Sequence, residues 1–271
     1  MAQRDAYPQR IVCLTEEPTE VLYALGEEHR IVGISGFTVR PARARKEKPK
    51  VSAFTSAKIG AILELEPDLV IGFSDIQADI AADLIRAGIE VWISNHRSVE
   101  GILSYIRRLG GMVGAAEKAD RYAADAEAHI ASVMESAARL PFRPKVYFEE
   151  WDVPPISGIR WVAELVRIAG GDDIFPELAE KSLARDRIIA DDGEIVRRQP
   201  DLILGSWCGK KFRPETVAAR PGWSAIPAVR NGQMHEIKSP LILQPGPAAV
   251  FDGLDALHRR IAAVASAEPT G

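Results

Sequence analysis

Pro67-Asp68-Leu69-Val70-Ile71-Gly72-Phe73 returns, little altered, as Pro200-Asp201-Leu202-Ile203-Leu204-Gly205-Ser206. Each copy is an apolar, β-branched run introduced by Pro-Asp and ended by Gly, the pattern of a short buried strand. Each follows an amphipathic stretch, Ile59-Gly60-Ala61-Ile62-Leu63-Glu64-Leu65 in one case and Gly193-Glu194-Ile195-Val196-Arg197-Arg198 in the other. A helix-to-strand unit that occurs once per half predicts two α/β lobes of similar design, facing each other across a cleft that takes a small molecule. The alternative is that Pro-Asp before an apolar run is merely a common way into a parallel strand.

Outward from the first copy, apolar runs alternate with amphipathic ones. Strands are expected at Arg10 to Leu14, Ile31 to Ile34, Val51 to Phe54 and Glu90 to Ser94. Helices are expected from Pro18 to Gly26, from Ala78 to Ala87 and from Val99 to Leu109. This βα alternation predicts a parallel sheet covered by helices. From Gly114 to Leu140 alanine and charge dominate without an internal Gly or Pro, so one long helix should join the lobes. Pro141 and Pro144 stop it, and the alternation restarts at Lys145-Val146-Tyr147-Phe148. The later elements are a helix from Trp161 to Ala169, a strand from Gln233 to Ile237 and a closing helix from Ala248 to Val264. The expected organisation is an N-terminal lobe of residues 1–113, a connecting helix of residues 114–140 and a C-terminal lobe of residues 141–271.

The chain has 271 residues, 46% of them hydrophobic and 27% charged, enough to bury a core in each lobe. A net charge of −4 and a pI near 5.8 argue against nucleic acid or anionic membrane as the main partner. No stretch reaches the roughly 18–20 apolar residues of a membrane span. Residues Met1 to Arg10 contain neither an apolar core nor a cleavage signature. On that segment alone the expectation is either a cytoplasmic location or a leader that was removed or lies upstream of Met1. Cys13 lies in an apolar run and should be buried; Cys208 is the other cysteine, and the two lack metal-ligand spacing. There is no Gly-x-Ser-x-Gly elbow, phosphate loop or His-Glu-x-x-His motif, and Cys208 has no assignable histidine partner. No catalytic residue, metal ligand or cofactor is expected, and the protein is read as a non-enzyme.

The ordered set Arg10-Ile11-Val12-Cys13-Leu14, Ile31-Val32-Gly33-Ile34-Ser35, Leu65-Glu66-Pro67-Asp68-Leu69-Val70-Ile71, Ile168-Ala169-Gly170-Gly171-Asp172-Asp173-Ile174-Phe175, Gln199-Pro200-Asp201-Leu202-Ile203-Leu204 and Ile226-Pro227-Ala228-Val229-Arg230-Asn231-Gly232 resembles the substrate-binding proteins of cobalamin and iron-siderophore ABC importers. The resemblance spans residues 10 to 265 and is greatest to the cobalamin-binding branch. It implies two α/β lobes joined by one long helix, a monomer, reversible binding of a corrinoid (cobalamin first, otherwise a siderophore or haem) in the interlobe cleft, an ABC permease as partner, and a periplasmic location. Such importers dock their binding protein through one exposed glutamate per lobe. Those positions fall here on Gly60 and Gly193, with Glu194 adjacent to the second. A cytosolic corrinoid-binding or sensing protein without a permease is therefore the alternative.

In parallel α/β lobes ligands meet the loops beyond the carboxyl ends of the strands. The aromatics expected there are Phe37, Phe54 and Phe73 in the first lobe and Trp151 and Trp207 in the second, broad rigid faces suited to a flat ring system. The resemblance places Phe54 and Phe73 where cobalamin binders carry tryptophan. His96, at another strand end, could ligate cobalt or donate to a corrin amide. Glu17, with Glu16, Glu149 and Glu150, is expected to make the site acidic, which suits amides better than an anionic ferric siderophore. Arg40, Lys210, Lys211 and Arg213 point the other way.

Overall fold

Both copies of the repeat are inner strands of β-sheets in the computed structural model, which describes residues 6–267. The start of the N-terminal segment (residues 1–5) and the end of the tail (residues 268–271), both included in the expected lobes, lie outside the described residues. The chain divides into two units. One comprises Met1–His96 with Glu100–Glu127, the other Arg97–Val99 with Ala128–Gly271.

In the first unit β1 (Ile11–Cys13), β2 (Ile31–Ser35), β3 (Lys50–Ser52), β4 (Leu69–Phe73) and β5 (Val91–Ser94) form a parallel sheet of order β3-β2-β1-β4-β5. The crossovers carry α1 (Glu16–Ala24), α2 (Ala44–Glu47), α3 (Ile59–Leu63) and α4 (Ala78–Arg86). Val12, Leu14, Val51, Ile62, Val70 and Leu84 make one face of the core. Each such aliphatic side chain contributes about 1.5–3 kcal/mol on burial. Because β2 and β4 lie on opposite sides of β1, strand order reverses there. That reversal opens a crevice beyond the carboxyl ends of β1 and β4.

After α5 (Val99–Met112) comes α6 (Ala116–Ala137), a helix of 22 residues and about 33 Å. The division between units falls inside it, between Glu127 and Ala128. Ala119, Ala123, Ala126, Val133 and Ala137 form its buried stripe.

The second unit is built on β6 (Lys145–Asp152). Its neighbours are β7 (Pro155–Ser157), β8 (Asp172–Asp173) and β9 (Leu202–Gly205), and β10 (Met234–Glu236) lies beyond β9. Strands β8, β9 and β10 pair in parallel; β7 folds back antiparallel along the last residues of β6. Sequence reading did not place β7, which opens on a proline. Proline is tolerated at the first residue of an edge strand, where its missing N–H is not needed. The covering helices are α7 (Arg160–Ile168), α8 (Pro176–Ala179), α9 (Gly193–Arg198), α10 (Pro214–Ala218), α11 (Pro227–Arg230), α12 (Ser239–Ile242) and α13 (Leu254–Ala265). The closing helix begins with a widened π turn, Ala249–Gly253, instead of being α-helical throughout.

The repeat is a structural unit and more than an entry into a strand. Both copies enter through a left-handed residue, Glu66 (φ 45°) and Gln199 (φ 50°), which turns the chain from the preceding helix. Each aspartate then tethers the start of the neighbouring strand. Asp68 accepts the N–H groups of Gln9 (2.6 Å) and Arg10 (2.9 Å) ahead of β1, and Asp201 accepts that of Lys145 (2.8 Å) at the head of β6. Each glycine leaves a notch. A Cβ on Gly72 would lie 2.5 Å from Gln77 Oε1, and one on Gly205 within 1.9 Å of the Phe212 ring.

Candidate functional site

In the first unit the notch at Gly72 admits Gln77, which ties three strand ends together. Its amide oxygen accepts the N–H of Phe73 (2.9 Å), and its amide nitrogen donates to the carbonyls of Phe54 (3.0 Å) and Leu14 (3.5 Å). Gln77 is fully buried, so these bonds are shielded from water and fix the loops after β1, β3 and β4. Phe54 is half-buried on this frame. Phe73 is buried, edge-on to His96 at 5.4 Å; His96 in turn stacks on Tyr105 (4.6 Å), which stacks on Trp92 (5.2 Å). His96 also lines a cavity of about 280 Å³ with Trp92, Asn95, Tyr105 and Arg108. Phe37 stands out at 49% exposure, beside β2, and Ile76, after β4, is 47% exposed. An apolar strand-end face with rings at several depths is the result.

Glu16 and Glu17 begin α1 at the end of β1. Glu17 is buried; Thr15 Oγ1 donates to its Oε1 at 2.6 Å, and its Oε2 is buried with no hydrogen-bond partner among the described residues. Burial, with Glu16 and Glu20 nearby, pushes its carboxyl up to about 8. Burial raises Glu16 to about 7. Desolvation disfavours the charged form and wins over the hydroxyl hydrogen bond. Near neutral pH Glu17 is therefore largely uncharged and Glu16 only partly charged, and the acidity expected from these two carboxylates is muted.

In the second unit Glu149 and Glu150 are consumed by arginines. Glu149 is fully buried and receives Arg220 through two bonds of 2.6 and 2.9 Å, Tyr147 Oη at 3.0 Å and Trp207 Nε1 at 3.1 Å. Glu150 is matched by the buried Arg187 at 2.6 and 3.0 Å. The expected acidic contribution of both is cancelled by these arginines, and the fully buried Glu149 carboxylate persists only because it is paired. Trp207 is buried, orients Glu149 and packs edge-on to Phe212 at 4.9 Å. Trp151, half-buried, donates its indole N–H to the Val153 carbonyl at 3.0 Å. Lys210 lies over both indoles, 5.6 Å from the Trp151 ring and 4.9 Å from the Trp207 ring, and pairs with Asp152.

Of the sequence-derived candidates, the first unit gathers Glu17, Phe54, Phe73 and His96 at adjoining strand ends, with Phe37 beside β2. The second gathers Trp151 and Trp207. Sequence reasoning missed Gln77, Ile76 and Asp152. Only Asp152 gave a signal, as the residue next to Trp151 at a strand end. A cavity of about 850 Å³ in the second unit, lined by Arg143, Arg167, Asp172 and Asp173 among others, is larger than the cavity of about 280 Å³ beside His96. It adjoins β8, which pairs with the first residues of β6, so it lies at the amino ends of the strands. Burial there raises Asp173 to about 6. Strand polarity favours the opposite edge, with its aromatics, as the ligand site. At the two docking positions, Gly60 and Gly193 sit at the starts of α3 and α9, while Glu194 is held by Arg197 and Arg198.

Two α/β units with aromatic side chains at their strand ends suit the binding of a small molecule. Residues 11–241 match the periplasmic binding protein family, and the chain belongs to that family. Its role is that of a substrate-binding protein of ABC importers, which work with a permease. A vitamin B12-binding protein of Vibrio campbellii is 26% identical over 243 residues, covering 88% of this chain and 84% of that one. An ABC transporter substrate-binding lipoprotein of Bacillus subtilis is 26% identical over 267 residues, covering 94% and 80%. Among solved structures, the vitamin B12-binding protein BtuF of Vibrio cholerae superposes with a TM-score of 0.76 at 20% identity, covering 96% of this chain and 99% of the other. The haem-binding protein RhuT of Roseiflexus sp. RS-1 gives 0.78 at 24% identity, covering 93% and 99%. These likenesses extend to the fold.

Proposed function

We propose that the protein reversibly binds a corrinoid, cobalamin first, and delivers it to an ABC permease. The observation that carries this reading is the aromatic, charge-compensated character of the strand ends. Phe37 and Phe54 in one unit and Trp151 in the other offer faces for a broad ring, backed by the buried rings of Phe73 and Trp207. The neighbouring carboxyls are largely protonated near neutral pH, as at Glu17, partly so, as at Glu16, or matched by arginine, as at Glu149 and Glu150. An anionic ferric siderophore would call for uncompensated cations there. The names of the curated relatives lend further support. Haem is the second reading, carried by His96, an imidazole at a strand end where an axial ligand could stand.

Calorimetric titration with cyanocobalamin, ferric siderophores and haem tests it. Saturable one-to-one heat with cyanocobalamin is expected; absence of heat and of co-elution with any corrinoid refutes the reading. Fractionation of cells expressing the native gene separates the importer role from a cytosolic corrinoid sensor. Protein confined to the cytosol would defeat the importer assignment whatever the ligand.

A further inference from the structure

We infer that Asp152 and Lys210 form a carboxamide-reading subsite, which sorts amide-bearing ligands from their carboxylate counterparts; this rests on the corrinoid reading above. Asp152 is the last residue of β6 and only 7% exposed. One carboxylate oxygen, Oδ2, is paired with Lys210 Nζ. The other, Oδ1, is buried with no hydrogen-bond partner among the described residues. A buried acceptor left without a donor is a standing penalty that a ligand N–H relieves. Lys210, 47% exposed along its side chain, holds three donors and uses one on Asp152. Its flexible stem is the part that shifts to admit a ligand group between the Trp151 and Trp207 rings.

A primary carboxamide supplies both missing partners. Its N–H donates to Asp152 Oδ1, and its carbonyl accepts from Lys210 Nζ. A carboxylate in the same place supplies no donor and sets a second negative charge against Asp152. Neither neighbouring cation is free to offset that charge: Lys210 already answers Asp152, and Arg220 is held by Glu149 through two bonds. The subsite therefore favours a ring system fringed with amides, as in a corrinoid, over one fringed with carboxylates, as in a porphyrin.

The test compares cyanocobalamin with its peripheral monocarboxylic acids, each made by hydrolysis of one side-chain amide, by calorimetry at pH 7.5. Wild-type protein is expected to bind at least one of these acids ten or more times more weakly than cyanocobalamin. Asp152→Asn, which keeps the shape and removes the charge, should bring that ratio within about threefold. Lys210→Met should weaken cyanocobalamin itself by tenfold or more, with an unchanged circular dichroism spectrum in both variants. If cyanocobalamin binds but no acid is discriminated, or if Asp152→Asn leaves the ratio intact, the subsite is overturned while the corrinoid reading stands. If wild-type protein binds no corrinoid, the corrinoid reading has failed and the subsite falls with it.

Discussion

Replacing Arg220 by methionine should cost the second unit about 3–5 kcal/mol, the usual penalty for stripping one partner from a buried ion pair. An exposed pair would be worth only about 0–1 kcal/mol. The larger figure applies because the Glu149 side chain is 0% exposed and that of Arg220 15%. Both carboxylate oxygens receive the guanidinium, at 2.6 and 2.9 Å. Without it the carboxylate keeps Tyr147 Oη and Trp207 Nε1, neutral donors that cannot balance a full charge. Methionine retains much of the volume packed against Trp223, whose ring lies 4.5 Å from the guanidinium carbon, so a cavity contributes little. In a unit of this size the loss lowers the melting temperature by about 6–20 °C. Urea unfolding followed by tryptophan fluorescence reads the effect locally, because Trp207 and Trp223 flank the pair. The double variant Glu149→Gln/Arg220→Met should recover at least half the loss, since an amide needs no counter-charge. A loss below about 1 kcal/mol for the single variant, or a double variant no more stable than the single, would refute the charge-burial account.

Glu17 makes stability depend on pH. Its carboxyl sits near 4.5 in the unfolded chain and about 8 in the folded one, so between those values the folded chain holds a proton that the unfolded chain has released. Stability should therefore fall as pH rises through that window, by up to about 1.4 kcal/mol per unit for one proton, and level off above it. Denaturant titrations of Glu17→Gln from pH 5 to pH 9 should show a slope smaller by about one proton; an unchanged slope counts against a protonated Glu17. Phe54→Ala should weaken cyanocobalamin binding by about 1–3 kcal/mol in calorimetry with little change in stability, because the ring is only half-buried. Phe73→Ala should act the other way, costing about 3–5 kcal/mol in urea unfolding, since its ring is 4% exposed. A loss under about 1 kcal/mol would place Phe73 outside the core.

The strands were legible because β-branched runs bounded by proline and glycine carry their own punctuation. Leu69–Phe73 and Leu202–Gly205 stand where the repeat indicated them. The strand-end aromatics were legible for the same reason: a residue just beyond a strand's last apolar position lies at its carboxyl end. What could not be read was what each polar residue would meet. Glu149 and Arg220 are 71 positions apart, and Asp152 and Lys210 are 58. No local pattern links such pairs; only the closure of the second sheet brings them together. Thus Glu149 read as a free acid when it is half of an ion pair. Gln77 was invisible likewise, being one polar residue in a helical stretch until the space at Gly72 gives its amide somewhere to go.

The two notches left by Gly72 and Gly205 are filled by unlike plugs, an amide in one unit and a benzyl ring in the other. Frame and plug are thus separable inheritances. The left-handed entry, the aspartate tether and the glycine can be copied from one unit to the other while the plug changes freely, and the plug decides whether the loops above it rest on hydrogen bonds or on a packed ring. A designer wishing to alter what either face accepts could leave the frame alone and exchange plugs, trading positions 77 and 212 together with the loop that each supports.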